Sequence, residues 1–343
     1  MSKNTKAQRR LNAAFSEAES RGSCLAPCSE ADAVALKRRC AKGEVLEPAP
    51  GIYARPLYWQ TLAPDARAMH IMHGLGKRHE SWVFRGSSAA LAWGLDIPYP
   101  LTHPIQIGVE RIPLMRADSI AFSFLSEVPT EAVGGVRVTA FWDSVVDCLL
   151  TAPFSWGLAV ADSALRCTGI GTDRLVELVR ESGKGRHGVH RALITASFAD
   201  GRAESGGESR VRAFLIVNGF QIPELQVQIE DPVEPERVYR TDLFWRLGGG
   251  RCILGEVDGV CKYEDEAMLG GRTALDVLVE ERQRESRLTL AGYPVLRFTF
   301  DDLEHPQQLE RKLLVAGIPR DEQAAGRWRS AWWKADPQGA GSR

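Results

Sequence analysis

The sequence predicts an α+β chain of several domains, and three observations carry that prediction. Its 343 residues amount to two or three folding units at roughly 100–200 residues each. Its 44% hydrophobic and 25% charged residues are ordinary for a globular protein and exclude a disordered or collagen-like chain. Its hydrophobic pattern changes along the chain: two helices and a hairpin, then alternating strands with amphipathic helices, then a helix, three strands, a helix and a strand. No unbroken apolar run is long enough to cross a bilayer, and MSKNTKAQRR leads into an amphipathic stretch instead of a signal-peptide core. The expectation is a cytoplasmic protein with no membrane partner. The expected segments are 1–85, 86–200, 201–320 and a tail, 321–343.

Residues 6 to about 21 place Leu11, Ala14, Phe15 and Ala18 at helical spacing, and Gly22 supplies a stop. Ser29 then caps a second helix, with acidic residues in its first turn, Ala33, Leu36 and Cys40 on one face and Lys37, Arg38, Arg39 and Lys42 at the far end. EVLEPAPGIYA reads as two short strands around a Pro-Ala-Pro-Gly turn. Helix, helix, hairpin is a winged-helix pattern. Charge agrees with a nucleic-acid partner, because segment 1–85 holds 14 basic and 8 acidic residues whereas 86–200 and 201–320 are both net acidic. Lys37, Arg38, Arg39 and Lys42 are therefore the candidate DNA-binding residues, and any small helical domain with a hairpin is the bland alternative.

From Asp65 to about Leu95 the pattern is helical. His70 and His73 share a face there, but without a nearby carboxylate to complete a zinc motif they read, with His79, as exposed or capped histidines. Three stretches within 101–141 alternate as strands, and FWDSVVDCLL, SWGLAVADSALR and TDRLVELVRES follow as helices. GKGRHGVH at 183–190 lacks the GxGxxG spacing of a phosphate loop and reads as a basic linker. Seven cysteines, an odd number with no repeated short spacing, argue against a disulfide framework and a zinc ribbon.

The C-terminal segment carries the chemistry. Its helix bears Glu208 on the first turn, its second strand Asp242 and its third strand Glu256 and Asp258, which period-2 geometry points to one side. Carboxylates converging on an apolar sheet repel one another unless a cation compensates, and Mg²⁺, with its preference for oxygen, suits Asp242, Glu256 and Asp258 as ligands. Such a site suits phosphodiester hydrolysis, with Lys262 able to stabilise developing charge or position water. The catalytic candidates are thus Glu208, Asp242, Glu256, Asp258 and Lys262.

Asp242, the run Glu256 to Gly259 followed by Lys262 and Tyr263, then Glu281, Arg284, Glu285 and the stretch GYPVLR resemble the Vsr-like branch of PD-(D/E)XK endonuclease folds. The GIYA wing, the SSAALAWGL helix, GVRVT, WDSVVD and VADSALR resemble the AbiEi family of type IV toxin–antitoxin antitoxins. These resemblances imply a winged helix-turn-helix, an α+β middle domain and a restriction-endonuclease-like α/β domain. They also imply a DNA-binding antitoxin or autorepressor with a nucleotidyltransferase-like toxin as partner. Asp258 stands where the simple nuclease motif has lysine, with Lys262 further on, so the last domain is read either as a Mg²⁺-dependent endonuclease or as a degenerate fold used for binding. A protein-interaction scaffold is a third reading, suggested by Trp328, Trp332 and Trp333 at helical spacing.

Overall fold

Leu11, Phe15 and Ala18 bury one side of the first helix, α1 (Lys6–Ser20), and Leu36 buries the matching side of α2 (Glu30–Ala41). The Ser29 hydroxyl caps α2 by accepting the Asp32 N–H at 3.2 Å, a bond worth about 1 kcal/mol in such positions. Strands β1 (Leu46–Ala49) and β2 (Ile52–Ala54) form the antiparallel hairpin, and Leu25 exchanges two backbone hydrogen bonds with Tyr53, adding a one-residue third strand. Val45, Leu25 and Tyr53 close a core with α1 and α2. The structure is a computed structural model that describes residues 6–125, 128–231, 233–258 and 274–332.

Next come α3 (Pro56–Gln60), α4 (Pro64–Arg78), β3 (Val83–Phe84), α5 (Gly86–Ala92), β4 (Ile105–Val109), β5 (Ile120–Phe124), β6 (Thr130–Val133), β7 (Val136–Thr139) and α6 (Phe141–Thr151). The five strands order as β5-β4-β3-β7-β6, parallel where β3 meets β7 and β4 meets β5, antiparallel elsewhere. Ile105, Ile107, Phe84 and Val138 from this sheet pack with Met72 and Leu75 of α4. Two strands escape the sequence pattern. Two-residue β3 is too short to show a period inside a helical stretch, and β6 is paired through the turn Gly134-Gly135, both residues at positive φ (56° and 84°).

The remaining elements are α7 (Phe154–Thr168), α8 (Thr172–Ser182), α9 (Val189–Ser197), α10 (Gly206–Val217), β8 (Glu224–Glu230), β9 (Val238–Arg246), β10 (Cys252–Val257), α11 (Ala274–Leu290), β11 (Val295–Phe298), α12 (Phe300–Glu304), α13 (Pro306–Ala316) and α14 (Glu322–Trp332). The chain divides into two compact units, Met1–Ala152 with Glu177–Ala192, and Pro153–Val176 with Leu193–Arg343. Segment 86–200 therefore contributes to both. The molecule is an α+β protein of more than one unit, and no helix among the described residues is long and apolar enough to cross a membrane.

In the second unit the sheet orders as β11-β10-β9-β8; β8, β9 and β10 run antiparallel, and α11 carries the chain across to β11, parallel to β10. Leu243, Trp245, Ile253 and Phe298 pack with α10 and α13, whereas Phe244 and Leu254 pack with Leu288 of α11, so helices cover both faces. Beneath this layer α7 and α10 are joined by the ion pair Asp162–Arg212 at 2.6 Å, with both side chains buried.

Of the two alternatives for the histidines, exposed or capped, His70 takes the second: it is buried, and its ring nitrogens meet the Tyr58 hydroxyl at 2.9 Å and the Ala66 carbonyl at 2.7 Å. The two ring nitrogens of His73 face the Gly22 and Gly134 carbonyls, at 2.8 and 2.7 Å. The stretch 183–190 is also more than a linker. Arg186 bonds Asp147, which Arg85 holds from the other side at 2.6 Å, and Gly188, at φ +88°, lies so close to Leu150 that a Cβ would come within 2.2 Å of its carbonyl oxygen.

Candidate functional site

The predicted site residues fall into two sets, one in each unit. In the first unit, α2 turns its apolar side inward, which forces Lys37, Arg38 and Lys42 outward into solvent. Arg39, also predicted to bind DNA, is half-buried and donates from Nε to Glu44 at 3.1 Å. Three of the four predicted cations are thus presented to solvent and the fourth braces the end of its own helix. The hairpin next to them is fixed by Glu47, whose carboxylate accepts the Gly51 N–H at 2.8 Å.

In the second unit the predicted acids lie where strand regularity fails. Leu225 packs with α10 and α13, yet Val227 and Ile229 of the same strand pack with α11; in β9, Leu243 and Tyr239 are divided in the same way. A strict period of two forbids both patterns. The reversal in β8 occurs at Gln226, a non-glycine residue at φ +56°, and the reversal in β9 spans Thr241 and Asp242, where the Thr241 hydroxyl donates to carbonyls of its own strand and of Gly255. The last registered pair of β9 and β10 is Leu243 with Gly255, so Asp242 and Glu256 come next on the two strands. Asp242 then turns its carboxylate onto the backbone N–H of Val257 at 2.8 Å, replacing a ladder bond by a side-chain one.

Each other acid has its own partner. Glu256 accepts from Arg284 of α11 at 2.6 Å. Asp258 takes Arg297 of β11 at 3.0 Å, and the same guanidinium reaches Glu285 of α11 at 3.3 Å. Glu208, buried at the start of α10, accepts the Glu204 N–H, the Ser205 hydroxyl and the Gln226 amide at 2.9, 3.0 and 3.0 Å. Burial pushes the Glu208 carboxyl up and the charge of Asp242 adds to this, while those three hydrogen bonds pull it back. Further along, burial of Asp231 is overcome by the Tyr239 hydroxyl and Arg287, which hold its carboxyl well below the usual carboxylate range.

Each of the expected Mg²⁺ ligands Asp242, Glu256 and Asp258 has a partner within the protein. Arginines compensate Glu256 and Asp258, and among the described residues no three His, Cys, Asp or Glu side chains converge so as to hold a metal ion. Lys262 lies outside the described residues, as do Gly259, Tyr263, Trp333 and the side chains of Glu281, Trp328 and Trp332. Gln226 is the residue that sequence reasoning missed. Its signal was its place opposite Asp242, readable only once the register of β8 on β9 is known.

The comparisons with known proteins are sparse. Two uncharacterized proteins of Mycobacterium tuberculosis, MT2308 from strain CDC 1551 / Oshkosh and Rv2248 from strain H37Rv, are each 38% identical to this chain over 146 residues. That stretch is 43% of this chain and 48% of each relative, so the match spans about half the relatives' length. No family model and no solved structure matches.

Proposed function

We propose that the protein is a DNA-binding transcriptional regulator of the antitoxin type, whose C-terminal unit is a nuclease-like fold used for binding. The observation that carries this reading is the solvent-facing trio of Lys37 and Arg38 on α2 and Lys42 at its C-cap, followed by the β1–β2 hairpin and its Leu25 bridge. In a winged helix, this helix enters the major groove and its cations meet phosphates. Each phosphate neutralised releases condensed counterions, which gives affinity and fixes register without reading sequence. Val34, exposed on the same helix, is suited to apolar contact with a thymine methyl. A nucleotidyltransferase-like toxin is the protein partner that the family resemblance implies for such a regulator.

The test is binding of the full chain to duplex DNA from upstream of its own gene over a salt series. Replacing Lys37, Arg38 and Lys42 together by Ala should weaken binding about tenfold or more. The log–log salt slope should flatten by about 2–3. A triple variant that binds like the wild type overturns the reading.

The arginine-compensated acids favour binding over cleavage, because the charge that a cation would neutralise is already neutralised by Arg284 and Arg297. The adjacency of Asp242 and Glu256 on neighbouring strands keeps a second reading, metal-dependent DNA cleavage, open to a direct experiment. That reading predicts nicking with Mg²⁺ or Mn²⁺ that disappears in Asp242→Ala and Glu256→Ala while duplex binding persists. Wild-type protein that cuts no DNA with either metal removes it.

A further inference from the structure

We propose that the wing meets duplex DNA through a side chain from outside the wing, Arg78 at the end of α4; this rests on the DNA-binding reading above and extends it to a second contact. The hairpin cannot make that contact alone. From Leu46 to Ala54 it contains no Lys or Arg and one acid, Glu47, so its own charge repels a phosphate. Arg78 offsets that charge and places a cation at the turn itself. A Cβ built on Gly51, at the hairpin turn, would lie 2.9 Å from Arg78 Cζ, 3.1 Å from Nη1 and 3.2 Å from Nε, so the guanidinium lies flat against the one residue of the turn that has no side chain. Gly51 is at φ +76°, a conformation that glycine adopts without strain. The only acid of the hairpin, Glu47, is exposed and its carboxylate is engaged by the Gly51 N–H at 2.8 Å.

The seat is rigid because α4 is locked under the hairpin one turn earlier. A Cβ on Gly74 would come within 3.1 Å of Cys24 and 3.3 Å of Ile52, so the helix backbone lies directly against the strand that carries the turn. Residues i and i+4 share a helix face, which brings Arg78 to the turn as Gly74 meets Ile52. His79 ends α4 and stacks on Trp82 at 3.8 Å between ring centroids, fixing the exit. Lys77 and Arg78 both stand exposed in the last turn, where the helix dipole favours cations. The wing and α4 together therefore present a cation that neither sequence segment announces by itself.

Fluorescence anisotropy of the full chain on the same upstream duplex, over a salt series, tests this. Arg78→Gln should flatten the salt slope by about 1 and weaken binding several-fold at low salt, with its thermal unfolding unchanged, and Arg78→Lys should restore the slope. If Arg78→Gln keeps the wild-type slope while the triple variant of α2 loses binding, this proposal is overturned and the regulator reading stands. If Arg78→Gln loses binding and the triple variant does not, the wing contact is upheld and the role of α2 is overturned. A wild-type chain that binds no duplex overturns both.

Discussion

Arg212→Met alone should cost about 3–5 kcal/mol of stability, because it leaves the Asp162 carboxylate buried without its counter-charge. Asp162 is fully enclosed between α7 and α10, and its remaining partners are the Asp200 N–H at 2.7 Å and the Ser209 hydroxyl. Replacing both members by apolar side chains, as in Asp162→Leu with Arg212→Met, should recover most of the loss, since the desolvation penalty leaves with the charges. Urea unfolding of the three proteins checks this, and a single variant within about 1 kcal/mol of wild type would refute it. The pH dependence has a definite sign. Burial pushes the Asp162 carboxyl up to about 6 against the pull of Arg212. The folded value thus exceeds the unfolded one of roughly 4, so the stability linked to this group is fully present below about 4 and is lost as pH rises toward 6. In Arg212→Met the pull is gone, and the loss should extend to higher pH.

Trp245→Ala should cost about 3–5 kcal/mol as well, through a cavity at the centre of the second unit's sheet and an orphaned Gln221 carbonyl, which now accepts the indole N–H at 2.8 Å. The site is shaped by its neighbour across the ladder. A Cβ on Gly255 would lie 2.9 Å from Trp245 Cζ3, 2.9 Å from Leu243 Cβ and 3.0 Å from Phe298 Cε2, so Gly255→Ala alone should cost about 1–3 kcal/mol by overpacking. In the Trp245→Ala background one of those three obstacles is gone. The double variant should therefore be less destabilised than the two single losses added together, by about 0.5 kcal/mol or more, and strict additivity in denaturant unfolding would count against this packing.

Most of the framework was legible in the sequence because it rests on period and caps. Ser29 before α2, the hairpin around Gly51, and the order α10, β8, β9, β10, α11, β11 all follow from residue spacing and turn chemistry. The acids were legible as residue types, and Asp242 and Glu256 as positions on strands, whereas Asp258 lies one residue past the end of β10. Their partners were not, because a strand pattern gives the face of a residue but not the register of its neighbour. Gln226 and Asp242 sit where the pattern breaks, and Arg297 reaches Asp258 only because β11 lies parallel beside β10. Arg284 of α11 and Arg297 of β11 pair with Glu256 and Asp258, and such pairing is invisible to any reading confined to one segment.

The passage of the chain through α8 and α9 from one unit to the other and back has a consequence for synthesis. A nascent chain that has emerged only as far as Ala152 lacks Arg186, so Asp147 waits with a single guanidinium until the ribosome has made another 34 or so residues, several seconds of elongation at usual rates. By then the opening portion of its companion, from Pro153 to Val176, is already outside the tunnel and unpartnered. A cut after Ala152 leaves the first unit incomplete and a cut after Ala192 leaves the second incomplete, so no single peptide bond parts the chain into two whole units.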